Sequence, residues 1–98
     1  MKEKERVKFD SVWDAIEASP SAAASLRLRA EIANAVIEEI RRQGLTQSSA
    51  ATLCNVSQPR VSDLMRGRLN LFSLDSLVDM ASKLGLNTSV SVRRNRAA

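Results

Sequence analysis

The chain has 98 residues, 44% of them hydrophobic and only 3% aromatic, with one cysteine, no histidine and a net charge of +4. That is one domain's worth of sequence. It excludes an internal disulfide, a zinc site needing about four Cys or His ligands, and histidine-based catalysis or pH switching. No apolar run approaches the roughly 18 residues of a membrane span, and the N-terminus leads into no apolar signal core, so a reducing cytoplasm is the expected location, on or near the nucleoid if the partner is DNA. With only Phe9, Trp13 and Phe72 as aromatics, the core must rest on Leu, Ile, Val and Ala, which suits packed helices. The whole charge excess falls after residue 43, where 7 basic side chains face 3 acidic ones. Such a bias fits either a solubilising surface or affinity for a polyanion through counterion release.

Residues 1–6 are charged and expected to fray. Val7 and Phe9 alternate with Lys8 and Asp10, a short strand pattern. Residues 11–18 place Val12, Trp13 and Ile16 on one side of a short helix. Ser19 followed by Pro20 is a helix start. From there to Gln43, Leu26, Ala30, Ala33, Ile37 and Ile40 form one apolar stripe that Ile32 and Val36 widen. Arg27, Arg29, Glu31, Glu38, Arg41 and Arg42 take the other positions, and Gly44 ends the helix. Thr46 caps a short helix to Cys54, and Ser57 caps the next, which stops near Arg66 before Gly67. Residues 68–72 read as a loop. Ser73 caps a further helix, with Asp75 near its positive end. Phe72 and Leu77 stand at staple spacing. Leu74, Leu77, Val78, Ala81 and Leu84 face the core, and Gly85 terminates. Leu86, Thr88, Val90 and Val92 then alternate with polar residues, which predicts a strand. A lone strand leaves backbone groups unpaired, so its partner must be residues 7–9, a second subunit or another protein.

Residues 44–67 carry the strongest functional signal. Two helices crossing steeply over a short turn need a small residue at the crossing and a turn residue that accepts positive φ. Ala51 and Asn55 meet those demands. Ala50, Cys54, Val56, Val61 and Leu64 supply apolar contacts inside the angle, while Gln58, Pro59, Arg60, Ser62, Asp63 and Arg66 face outward and none is aliphatic. Pro59 falls in the first helical turn, where its missing amide hydrogen costs no intrahelical bond. The pattern is a helix-turn-helix, with Ala51, Asn55, Val61 and Leu64 holding its angle, and it points to sequence-specific DNA binding.

The stretch resembles the Cro/phage-repressor type of helix-turn-helix regulator, the XRE family. The likeness runs from about Ala30 to Leu84 and includes GLTQ, SQPRVSDLMRG and SLDSLVDMASKLG. The longer pattern, with its FDSVWDAI lead-in and IRRQGLTQ, resembles the HigA-like antitoxin branch. The resemblance implies an all-α, five-helix, lambda-repressor-like DNA-binding domain with a short C-terminal β-strand. Residues 1–19 would form a partner-binding segment, 20–85 the DNA-binding domain with its motif at 46–66, and 86–98 a strand and basic tail.

Carried over by position, Gln58, Pro59, Arg60 and Asp63 contact bases. Arg60 suits guanine, Gln58 adenine, Asp63 cytosine N4, and Pro59 a thymine methyl. Asp63 has a competing use as an ion-pair partner of Arg66. Thr46, Gln47, Ser57, Ser62, Arg66, Arg68 and Asn70 lie over the DNA backbone. Arg41 and Arg42 suit a helix C-terminus or a flanking phosphate. The implied protein is a non-enzymatic, cofactor-free transcriptional repressor, dimeric on an inverted-repeat operator in double-stranded DNA. As an antitoxin it would also neutralise a RelE/HigB-like mRNase toxin. Val7, Phe9 and Trp13 are the candidate toxin contacts, though Trp13 equally suits packing on the long helix. The alternative is a phage or mobile-element repressor with no toxin. An RNase toxin is disfavoured because the chain has no His or Tyr for acid–base work.

Overall fold

A computed structural model of the chain describes residues 20–94. Four α-helices follow one another: α1 (Pro20–Arg42), α2 (Gln47–Cys54), α3 (Gln58–Met65) and α4 (Leu74–Lys83), with a 3₁₀ turn at Leu69–Leu71 between the last two. The long α1 is the spine. It packs mainly on α4 and also meets the 3₁₀ turn and α3, while α2 packs on α3 and α4. Leu26, Ala33, Val36, Ile37 and Ile40 of its stripe are almost wholly buried. They meet Ala50, Cys54, Val61, Leu64, Leu69, Phe72, Leu77, Met80 and Ala81 in one core.

Each α-helix ends in the same closure. A residue of positive φ follows the helix, and the next amide reaches back five residues. Leu45 donates to Ile40 O, Val56 to Ala51 O, Arg68 to Asp63 O and Leu86 to Ala81 O, at 2.9–3.0 Å. Glycine occupies the positive-φ position in three cases, and Asn55 (φ 56°) does so between α2 and α3. This closure satisfies carbonyls that a helix end would otherwise leave open, and it favours an apolar residue just after the turn. Leu45, Val56 and Leu86 are those residues, each packed against the core. Arg68 is the exception, and its side chain turns instead to Asp63.

The all-α expectation holds, but the expected C-terminal strand needs correction, and one of the expected helices falls outside the described residues. Among the described residues there are four α-helices, not five; the helix expected over residues 11–18 and the strand over residues 7–9 lie outside them. The C-terminal strand is not formed. Residues 86–94 carry no strand, and past the Leu86 amide no backbone hydrogen bond among the described residues fixes them. Alternation of apolar and polar residues encodes only which faces a strand would have; the strand itself exists when a neighbour takes its amides and carbonyls.

The segment nevertheless follows a defined path. Asn87, Thr88 and Ser89 face Ile32 and Ala35 across one open depression. Val90 and Ser91 face Ala24 and Arg27 across another. The chain therefore runs beside α1 in the opposite direction to it.

Candidate nucleic-acid interface

The caps that start α2 and α3 set the geometry of the exposed face. Thr46 is extended, and its Oγ1 accepts from the Ser49 amide at 3.0 Å. Ser57 is likewise extended, and its Oγ accepts from the Arg60 amide at 3.3 Å, with Pro59 in the first turn. Ala51, 6% exposed, lets the two helices approach, and Val61 and Leu64 seal the angle from within at 0% and 1%. Asn55 caps α2, its amide donating into the last turn, and turns the chain toward α3.

This arrangement brings the start of α2 beside the start of α3. Gln47, Gln58, Pro59 and Ser62 line one open surface depression. Gln47, Gln58 and Pro59 are exposed there, and Ser62 is half-buried. Two amides able to donate and accept, a hydroxyl and an apolar ring thus line one open surface. Within that set the Gln58 amide has the donor and acceptor that an adenine edge pairs with, and the Pro59 ring suits an apolar group such as a thymine methyl.

Arg60 stands apart from that group. Its Nη1 donates to the carbonyl of Leu71 at 2.9 Å, and its guanidinium carbon lies 4.3 Å from the centroid of the Phe72 ring. Sequence spacing does not disclose this partnership, which crosses the turn after α3. Arg29 completes the clamp from α1, Nη1 donating to the Phe72 carbonyl at 3.2 Å. Arg29, which lies off the apolar stripe of α1, is half-buried and binds the junction after α3.

Asp63 pairs with Arg68 at 3.3 Å rather than with Arg66 or Arg60. The pairing follows from the closure of α3, since the Arg68 amide bonds the Asp63 carbonyl at 3.0 Å and brings the two side chains together. Arg66 and Asn70 are exposed and follow α3 with Arg68, as the backbone-contact expectation requires. Arg42 instead engages Glu39 in the last turn of α1. Val7, Phe9 and Trp13 lie outside the described residues. Missed by sequence reasoning were Leu69, assigned to a loop but 1% exposed, and Met80, 2% exposed. For Met80 the signal was available, because it lies three residues from Leu77 and four from Leu84, on the same helical face.

Other chemistry is sparse. Cys54 is fully buried, and burial pushes its thiol upward from the ordinary range, which leaves it an inert core residue. Among the described residues no cluster of His, Cys, Asp or Glu is arranged to hold a metal ion. No described helix is long and apolar enough to cross a membrane. A family model described as a helix-turn-helix domain matches residues 16–93. No curated protein matches the chain.

Proposed function

Because the chain belongs to this helix-turn-helix domain family, we propose that it is a sequence-specific transcriptional repressor, dimeric on an inverted-repeat operator. The observation that carries this reading is the convergence of Gln47, Gln58, Pro59 and Ser62 at the adjoining starts of α2 and α3. Gln58 reads adenine, Pro59 meets a thymine methyl and Gln47 takes a phosphate oxygen together with Thr46, Ser57 and Ser62 at the helix starts. Arg60 reads guanine with its plane held by Phe72. Leu71 occupies one of its five N–H donors, and those remaining serve the base. Asp63 orients Arg68 on the flanking phosphate, beside Arg66 and Asn70. One module spans only a few base pairs, so a two-fold pair on half-sites about one helical turn apart gives the required selectivity.

The likeness of the longer pattern to HigA-like antitoxins supports a finer role, in which the repressor silences its own operon and neutralises an mRNase toxin through residues 1–19. Selection of bound sequences from a random duplex pool tests the DNA reading. An inverted repeat should emerge, and binding should weaken steeply with salt. Recovery of no preferred sequence would overturn it. Copurification with the product of a neighbouring gene, followed by footprinting on the shared promoter, tests the finer role. A chain that footprints alone and retains no neighbouring product is a stand-alone repressor.

A further inference from the structure

Arg29 stands on α1, outside the helix-turn-helix, yet its Nη1 donates to the carbonyl of Phe72, 43 residues away, at 3.2 Å. Phe72 leaves the 3₁₀ turn in an extended conformation, with φ −121° and ψ 131°. The carbonyls on either side of an extended residue point in opposite directions. One of them, on Leu71, accepts from Arg60 at 2.9 Å. The other, on Phe72, accepts from Arg29. Two guanidinium groups thus hold the same short piece of chain from opposite sides, and the Phe72 ring lies against one of them, Arg60. We infer that Arg29 is a positioning residue for base reading. By holding the Phe72 peptide it sets the ring and the Leu71 carbonyl against which Arg60 lies. The inference rests on the reading of Arg60 as a base contact and adds a residue of α1 to it.

The Phe72 carbonyl has no other donor to fix it. It precedes Ser73, the cap of α4, and no backbone amide among the described residues donates to it. The turn before it is a single 3₁₀ turn, closed by the Phe72 amide on the Leu69 carbonyl, and the poor hydrogen-bond geometry of such a turn constrains the following peptide weakly. Without Arg29 that peptide is free to rotate in search of another donor. Stability alone does not explain an arginine here. Arg29 is half-buried with no carboxylate partner among the described residues. Its Nε is buried with no hydrogen-bond partner, which lowers stability rather than raising it. An apolar side chain of similar length would avoid that cost. What a cationic side chain adds at this position is a donor aimed at the Phe72 carbonyl.

Two substitutions in the full chain test the inference. Arg29→Met keeps the apolar stem and removes the donor, while Arg29→Lys keeps a donor. Sequence selection on the native chain and on Arg60→Ala identifies the base pair that Arg60 reads. At that pair Arg29→Met should lower discrimination by about 2- to 30-fold, and Arg29→Lys should restore it. In the Arg60→Ala background Arg29→Met should remove nothing further. Ile40→Val, which loosens the core at the other end of α1, should lower stability and leave the preference intact. A readout without DNA is the NMR shift that the Phe72 ring imposes on the Arg60 side chain. It should shrink in Arg29→Met and return in Arg29→Lys. An unchanged shift overturns the inference, as does a lost helical melt in Arg29→Met, which would make the residue structural. Equal weakening of every sequence with a shallower salt slope would make Arg29 a phosphate contact and also overturns it. Relaxation by Ile40→Val as large as that by Arg29→Met, further loss in the Arg60→Ala background, or no rescue by lysine does the same. A shift that responds as expected in a chain that selects no sequence upholds the hold on Arg60 and removes the DNA reading, so the two fail separately.

Discussion

The guanidinium of Arg60 lies over the ring of Phe72, 4.3 Å from its centroid, and so couples the recognition helix to the core. Phe72 is 1% exposed and packed in the core cluster. The side chain proposed to read guanine is thereby mounted on a buried core residue. Arg29 bonds the carbonyl of the same Phe72, so charges from α1 and α3 grip one residue from two sides. A guanidinium held flat loses less rotational freedom on meeting a guanine than one free in solvent, which is how a fixed platform raises selectivity.

Removing either partner should therefore have a double effect. Arg60→Ala should lower affinity by about 1–3 kcal/mol and relax preference at one base pair. It should also lower folding stability by roughly 0.5–1 kcal/mol through loss of the ring contact. Phe72→Leu keeps an apolar side chain but removes the platform, and should relax preference at the same base pair as Arg60→Ala. Urea denaturation and sequence selection on the two single variants and the double variant check this. Preferences lost at different base pairs would show that Phe72 does not orient Arg60.

Asn55 is the turn residue on which the angle between α2 and α3 depends. Its φ of 56° lies where a side chain costs about 1–2 kcal/mol unless the residue is glycine or a tolerant Asn. Asn55→Ala should destabilise the fold by about 1 kcal/mol, and Asn55→Gly should leave stability within a few tenths, as a positive-φ site predicts. Denaturation midpoints measure both. An alanine variant as stable as the native chain would mean that the turn relaxes to another conformation, and its DNA affinity would then fall.

The contrast between these two sites shows what a sequence discloses. Helix ends are local: Thr46, Ser57 and Ser73 cap as their spacing indicates, and Gly44, Asn55, Gly67 and Gly85 turn with positive φ. Those choices involve residues at most five apart. The depression at Gln47, Gln58, Pro59 and Ser62 was legible because the turn at Asn55 forces its geometry. The partners of Arg60 and Arg29 lie 11 or 12 and 43 residues away, and no period or cap encodes them. Leu69 looked like loop because a single 3₁₀ turn carries no repeat. The segment after Gly85 has the pattern of a strand but lacks pairing among the described residues, since alternation describes a surface and cannot supply a neighbour.

The ion pair between Asp63 and Arg68 gives Arg66 and Arg68, the two arginines proposed to lie over the DNA backbone, different weights. Arg66→Ala should weaken every DNA sequence alike and reduce the salt slope by about 0.9, one phosphate's share. Arg68→Ala should do more, because it also leaves the Asp63 carboxylate uncompensated close to the phosphates. Asp63→Asn in that background should recover part of the loss. Anisotropy titrations at several salt concentrations check the order. Equal effects from the two arginines, with no rescue at Asp63, would show that the pair is irrelevant on DNA.

Acid sensitivity is predicted at the far end of α1. Hydrogen bonding from Arg42, and then from Gln43, pulls the Glu39 carboxyl down from 4.5 to about 2. Gln43 also donates to the Leu84 carbonyl at 3.1 Å, so the carboxylate helps seat the link between α1 and α4. The folded pKa lies below the unfolded one. Its contribution to stability is therefore complete above about pH 4.5 and is lost as pH falls toward about 2. Titration of the Glu39 side-chain carbon by NMR should give a midpoint near 2, and Arg42→Ala should return it toward 4.5. In the same pH interval the native chain should lose more of its melting temperature than the Arg42→Ala variant does. A native midpoint near the ordinary carboxylate value would show that these hydrogen bonds do not persist in solution.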